Sequence, residues 1–190
     1  TTASVAGGAY LLMACMAAMH MIWKIKLADM VAKSAAPVGA ALCLIVLVTG
    51  SFWGRPTWGT YWEWTDVRLV STLILLFIYI GIMALRNAFD SELSAAKATA
   101  VLTLVGLVNL PIIRYSVTRL NTLHQGPSEL SVRDASMNPP EIWIPAVFMA
   151  FAICGIFFLT VILRTRNEIL LRERKAQWVQ ELVLAETRHA

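Results

Sequence analysis

Four of the seven tryptophans, Trp53, Trp58, Trp62 and Trp64, fall within twelve residues, with Tyr61 among them. An indole left in water is costly, so the cluster must pack on itself, sit at a membrane boundary, or face a flat ligand. A boundary belt accounts for one or two aromatic residues per helix end, such as Trp23 and Trp143. It does not account for Trp58, Tyr61, Trp62 and Trp64 interleaved with Gly54, Pro56 and Gly59, residues that shape a specific turn. Several ring faces on one small surface would suit a large planar aromatic ligand. Asp66 and Arg68 close the stretch, and Thr65 or Asp66 can cap a helix beginning there, where the helix dipole favours an acid.

Of the three histidines, His124 lies in Asn121-Thr-Leu-His124-Gln-Gly126. It is either a solvated loop side chain or a ligand, and neutral imidazole is a standard axial ligand to haem iron. His20 is near the end of the first apolar run, one turn before Lys24, and His189 is near the end of a charged tail. Arg55, Arg68, Arg114 and Arg119 flank the tryptophans or the end of the fourth apolar run. They can anchor to phosphate headgroups or pair with ligand carboxylates, such as the two propionates of haem, which match a guanidinium fork. Cys15, Cys43 and Cys154 sit singly inside apolar runs and form no redox pair or haem-attachment motif.

The elements that must position these residues are membrane spans. The chain is 58% hydrophobic and only 15% charged, with a mean hydropathy of +0.65, whereas soluble domains carry about a quarter charged residues. No basic run interleaved with aromatics suggests nucleic-acid binding. The expected fold is an all-α integral membrane protein with five transmembrane helices, at about 4–23, 36–52, 67–85, 98–113 and 142–163. A Trp-rich loop, 53–68, and a second long loop, 114–141, join them on one side. Residues 1–163 form the membrane domain and 164–190 an amphipathic helical tail, which either lies on headgroups or docks a partner. Asn109 and Pro111 suggest an interhelical hydrogen bond and a kink.

Eleven Lys and Arg fall in the 24–33 and 86–97 links and the tail, against five in the other two loops. The positive-inside rule makes the first set cytoplasmic, so the Trp-rich loop and His124 share the outer face. Thr1 would then lie outside, which points to at least one further helix upstream. His20 belongs to the opposite leaflet from His124, ~25–30 Å away at ~1.5 Å per residue, so the two cannot bind one iron.

Trp53-Gly-x-Pro-x-Trp58-Gly-Thr-Tyr61-Trp62-x-Trp64-Thr-Asp66-x-Arg68-Leu69-x-Ser71 resembles the tryptophan-rich signature of haem-handling proteins in cytochrome c maturation. Its continuation, with Asn109-Leu-Pro-Ile-Ile and Asn121-Thr-Leu-His124-Gln-Gly126, resembles the haem exporter protein C family over nearly the whole chain. The resemblance implies six helices in the bacterial inner membrane and transiently bound b-type haem on the outer face. It implies delivery of that haem to a periplasmic haem chaperone, the E component. Partners would be the A and B subunits of an ATP-binding cassette transporter and a small D subunit. It assigns haem contact to Trp58, Trp62, Trp64 and Asp66, with Gly59 and Tyr61 as further candidates within the stretch, and axial ligation to His124; the other axial histidine precedes this part of the chain. Two positions depart from the signature. Tyr61 stands where Trp is usual, and Thr65 is inserted before the acid, so either the loop absorbs it or Asp66 points elsewhere.

The function expected is haem presentation, without turnover of its own; no Walker motif is present, so any ATPase is a separate chain. The rival is a transmembrane transporter moving haem or another solute, for which the spans offer no strong mid-membrane charges. A b-type cytochrome subunit would need histidines facing each other within the bundle.

Overall fold

A computed structural model describes residues 2–119 and 140–181. These residues form six helices: α1 Thr2–Trp23, α2 Lys26–Trp58, α3 Val67–Asn87, α4 Glu92–Gly106, α5 Asn109–Arg119 and α6 Pro140–Arg172. Five stretches are long and apolar enough to cross a membrane, with α4 and the first part of α5 counting as one. The chain is therefore an all-α multi-pass bundle, as its composition requires.

The core is closed by two tyrosines. Tyr10 of α1 and Tyr79 of α3 are fully buried and meet edge to face, with ring centroids 5.2 Å apart. Each hydroxyl reaches across to backbone: Tyr10 donates to the Thr103 carbonyl at 2.9 Å and Tyr79 to the Ala6 carbonyl at 3.3 Å. Small residues make the room. A Cβ at Gly39 would overlap the Tyr79 ring, and one at Gly106 would overlap the Tyr10 hydroxyl. Lipid tails are as apolar as leucine, so close approach and interhelical hydrogen bonds of this kind drive association within a bilayer.

Helix α2 differs most from the sequence expectation. The span expected at 36–52 starts ten residues earlier and continues through Trp58. Lys24, in the left-handed region at φ 56°, donates its N–H to the His20 carbonyl and reverses the chain at once, so no polar link separates α1 from α2. Pro37 lies inside α2, not in its first turn. The early turns are helical because their charges have distant partners. Arg86 of α3 forks onto Asp29, Nη1 to Oδ1 at 2.5 Å and Nη2 to Oδ2 at 2.7 Å. Arg172 of α6 reaches Asp29 at 3.2 Å and Glu92 of α4 at 2.8 Å. Lys33 donates to Glu168 at 2.6 Å. Four helices are thus tied at one end of the bundle.

The fourth span breaks at Leu107–Val108, between α4 and α5. Pro111 has no N–H to give the Leu107 carbonyl, and its ring crowds that carbonyl. Asn109 then donates to the Ser71 carbonyl of α3 at 2.8 Å, the expected interhelical bond. Helix α6 runs past residue 163 to Arg172, because Glu168 and Arg172 join the charge network. A turn at 173–176 and a helical turn at 177–181 follow, where Val179 is buried.

Candidate functional site

The tryptophan cluster lies at the end of the bundle opposite the charge network. The segment expected as one loop is half helix: Trp53 to Trp58 form the last turns of α2, and only residues 59–66 lie between helices. Gly59 ends α2 in the left-handed conformation, at φ 80°, and gives its N–H to the Arg55 carbonyl. That conformation favours glycine because a Cβ would crowd the next carbonyl. Arg55 clamps the same turn, donating from Nη1 to the Gly59 carbonyl at 2.7 Å and lying over the Tyr61 ring at 5.4 Å. Tyr61 also meets Phe52 edge to face at 6.5 Å.

Two residues that sequence reasoning missed hold the rest of the loop. The Thr60 hydroxyl donates to the Trp62 carbonyl at 2.9 Å and accepts the Trp62 N–H at 3.3 Å. Glu63 accepts the Thr65 N–H at 3.2 Å and its hydroxyl at 2.9 Å. These are the short-range turns that Thr and Glu form in loops, and a Thr two residues before a fixed Trp was the available signal. The Glu63 contacts hold Thr65 within the loop. Asp66 is left to cap α3, accepting the Leu69 N–H at 3.0 Å, with 1% of its surface exposed. Of the two capping candidates, Asp66 does the work.

The rings do not make a flat platform. Trp62 and Trp64 meet at 5.5 Å with their planes 66° apart, the edge-to-face arrangement aromatic quadrupoles favour. Trp62 is partly buried, and its indole Nε1–H is buried with no hydrogen-bond partner among the described residues. Trp64 is 71% exposed. Trp58 packs back over Gly54 and is partly buried. Arg68, half-buried at the start of α3, feels both the Asp66 carboxylate and the Arg114 guanidinium of α5. The structure therefore brings together Trp62 with Trp64, Arg55 with Gly59 and Tyr61, and Asp66, Arg68 and Arg114. The Arg119 side chain and His124 lie outside the described residues.

The tryptophan end offers an exposed indole at Trp64, a buried Trp62 N–H that has no acceptor among the described residues, and the Arg68 and Arg114 guanidiniums. Among the described residues no group of three or more His, Cys, Asp or Glu converges as a metal site.

Comparison with known proteins identifies the lineage. Residues 1–180 match the family described as Heme exporter protein C. The chain belongs to the heme exporter protein C family. It is 44% identical over 181 residues to Heme exporter protein C of Escherichia coli (strain K12), covering 93% of this chain and 70% of that protein. It is 50% identical over 161 residues to the Bradyrhizobium diazoefficiens protein of the same name, covering 84% and 60%. The Haemophilus influenzae protein is 39% identical over 175 residues, covering 92% and 70%. As a heme exporter protein C family member, the chain carries the tryptophan signature on the end of a membrane bundle, across two helix ends and one short loop.

Proposed function

We propose that this protein binds haem at the tryptophan end of the bundle and delivers it to a periplasmic haem chaperone during cytochrome c maturation. One observation carries the reading: the buried Nε1–H of Trp62, without a partner among the described residues, beside the open ring of Trp64. A buried donor without an acceptor is costly, and a ligand oxygen would satisfy it. Haem supplies the matching pieces, a planar macrocycle for the rings and propionates for indole N–H, Arg68 and Arg114. His124 supplies imidazole to the iron.

In this reading Trp64 and Tyr61 contact the macrocycle, and Trp58, Gly59 and Arg55 fix the turn that presents them. Asp66 positions Arg68 and the first turn of α3 from beneath. Arg119 joins the basic rim. The tryptophan end faces the periplasm and the charged end the cytoplasm of a bacterial inner membrane, following the Lys and Arg bias. The chaperone takes haem from its exposed edge, with the A, B and D subunits as the assembled partners.

The test is the absorbance of haem bound to the full-length protein, with loading of the chaperone as a second readout. His124→Ala should lose the ligated Soret band, and an unchanged band removes His124 from the site. Trp62→Phe keeps an aromatic ring but deletes the N–H. It should lower haem affinity several-fold, and parental affinity would remove the observation on which the reading stands.

A further inference from the structure

At the charged end, α1, α2, α3, α4 and α6 line a partly open cavity of about 210 Å³, far above the ~10–15 Å³ that one water needs. Its inner wall is apolar, including Met13, Ala96 and Ala100, while His20, Asp29, Lys33, Arg86 and Arg164 are polar lining groups. The charges there do not cancel. Asp29 is taken up by Arg86 and Arg172, and Lys33 by Glu168. Arg164 is exposed and makes no ion pair among the described residues. Most telling is Arg86. Its side chain is only 9% exposed and its two terminal nitrogens serve Asp29 and Glu92, yet its Nε–H is buried without an acceptor among the described residues. His20 has its Nδ1 3.1 Å from the Ile25 carbonyl, where that nitrogen donates, which leaves Nε2 for whatever enters.

We infer that this cavity binds a phosphate group, with Arg164 and the Arg86 Nε–H as its donors. A phosphate brings several strong acceptor oxygens and negative charge to a site with a surplus cation and an orphaned guanidinium N–H. Basic pockets between membrane helices on the positively charged side receive anionic headgroups, and the apolar inner wall accommodates the start of an acyl chain. The same chemistry is available from free phosphate. The site is separate from the tryptophan end and stands whether or not haem binds there.

The test uses full-length protein in neutral detergent. Phosphatidylglycerol and phosphatidylcholine are compared by native mass spectrometry, and inorganic phosphate is titrated with phosphorus NMR. Retention of phosphatidylglycerol over phosphatidylcholine, without phosphate line broadening, identifies a lipid headgroup. Broadening by inorganic phosphate identifies the free ion. In either case Arg164→Gln, a surface change, should weaken binding at least about tenfold, the worth of one hydrogen bond to a charged group. Ala100→Leu should block the cavity. Binding of neither probe, or parental binding in Arg164→Gln, overturns the inference.

Discussion

Replacing Trp64 by alanine separates a ligand platform from a membrane belt. A tryptophan presents about 150–250 Å² of contact surface, and Trp64 leaves 71% of its surface open. A planar ligand can cover only one ring face, about half of what is open, or roughly 50–90 Å². At about 25 cal/mol per Å² this is worth ~1.3–2.2 kcal/mol, a loss of about ten- to forty-fold in haem affinity. The assay is a haem titration of the full-length protein in detergent, followed at the Soret band. Trp23→Ala is the matched control. Trp23 is 65% exposed at the opposite end of the bundle, so its removal should leave haem affinity unchanged while costing the same kind of interfacial anchoring. Affinity within twofold of the parent in Trp64→Ala refutes the platform. An equal loss in Trp23→Ala refutes it too, since haem would then be reporting general damage to the bundle.

Two further expectations concern the scaffold. Asp29→Asn leaves Arg86 and Arg172 without the carboxylate that both share; breaking such a buried pair costs about 3–5 kcal/mol. It should lower the denaturation midpoint clearly, and an unchanged midpoint would mean Glu92 alone satisfies both guanidiniums. Gly106→Ala would drive a methyl into the Tyr10 hydroxyl and to 2.9 Å from the Ile78 Cγ2, overpacking worth about 1–3 kcal/mol. Tyr10→Phe in the same chain should recover part of that loss, and additive losses in the double variant would show that the hydroxyl is not the obstacle.

The spans, the cap at Asp66 and the bond from Asn109 were legible because each is local or written in hydropathy. Nineteen or so apolar residues announce a crossing helix, and an acid before an apolar run announces a cap. The extent of α2 was not legible. Asp29 and Lys33 read as part of a polar link until Arg86, Glu168 and Arg172 supply their partners, from 57 to 143 residues away. At the other end, Trp53 to Trp58 look like loop because Gly54 and Pro56 break helices in general. Here Gly54 is needed for Trp58 to pack back over the turn, and a Cβ there would lie 3.1 Å from that ring. The mutual tilt of Trp62 and Trp64 is likewise invisible in spacing, because Thr60 sets the Trp62 backbone through two hydrogen bonds. His124 falls outside the described residues, and its role rests on the family motif.

The two ends of the bundle are built differently, and the difference bears on transfer. One end is cross-tied by six charged side chains on four helices, which fixes the helix ends against one another. The other carries an open Trp64, an exposed Tyr61 and a short loop held by its own Thr60 and Glu63. An enclosed pocket would bind a flat ligand on both faces and along its edge. A single open indole face, at the one to two kilocalories worked out above, holds it on one side and leaves an edge for a second protein. On the proposed function, most of the haem-binding energy would then come from iron ligation and the propionate contacts, which a chaperone could replace one at a time by offering its own ligand to the iron and its own cations to the carboxylates. Enclosing Trp64 would therefore strengthen haem binding and slow its delivery.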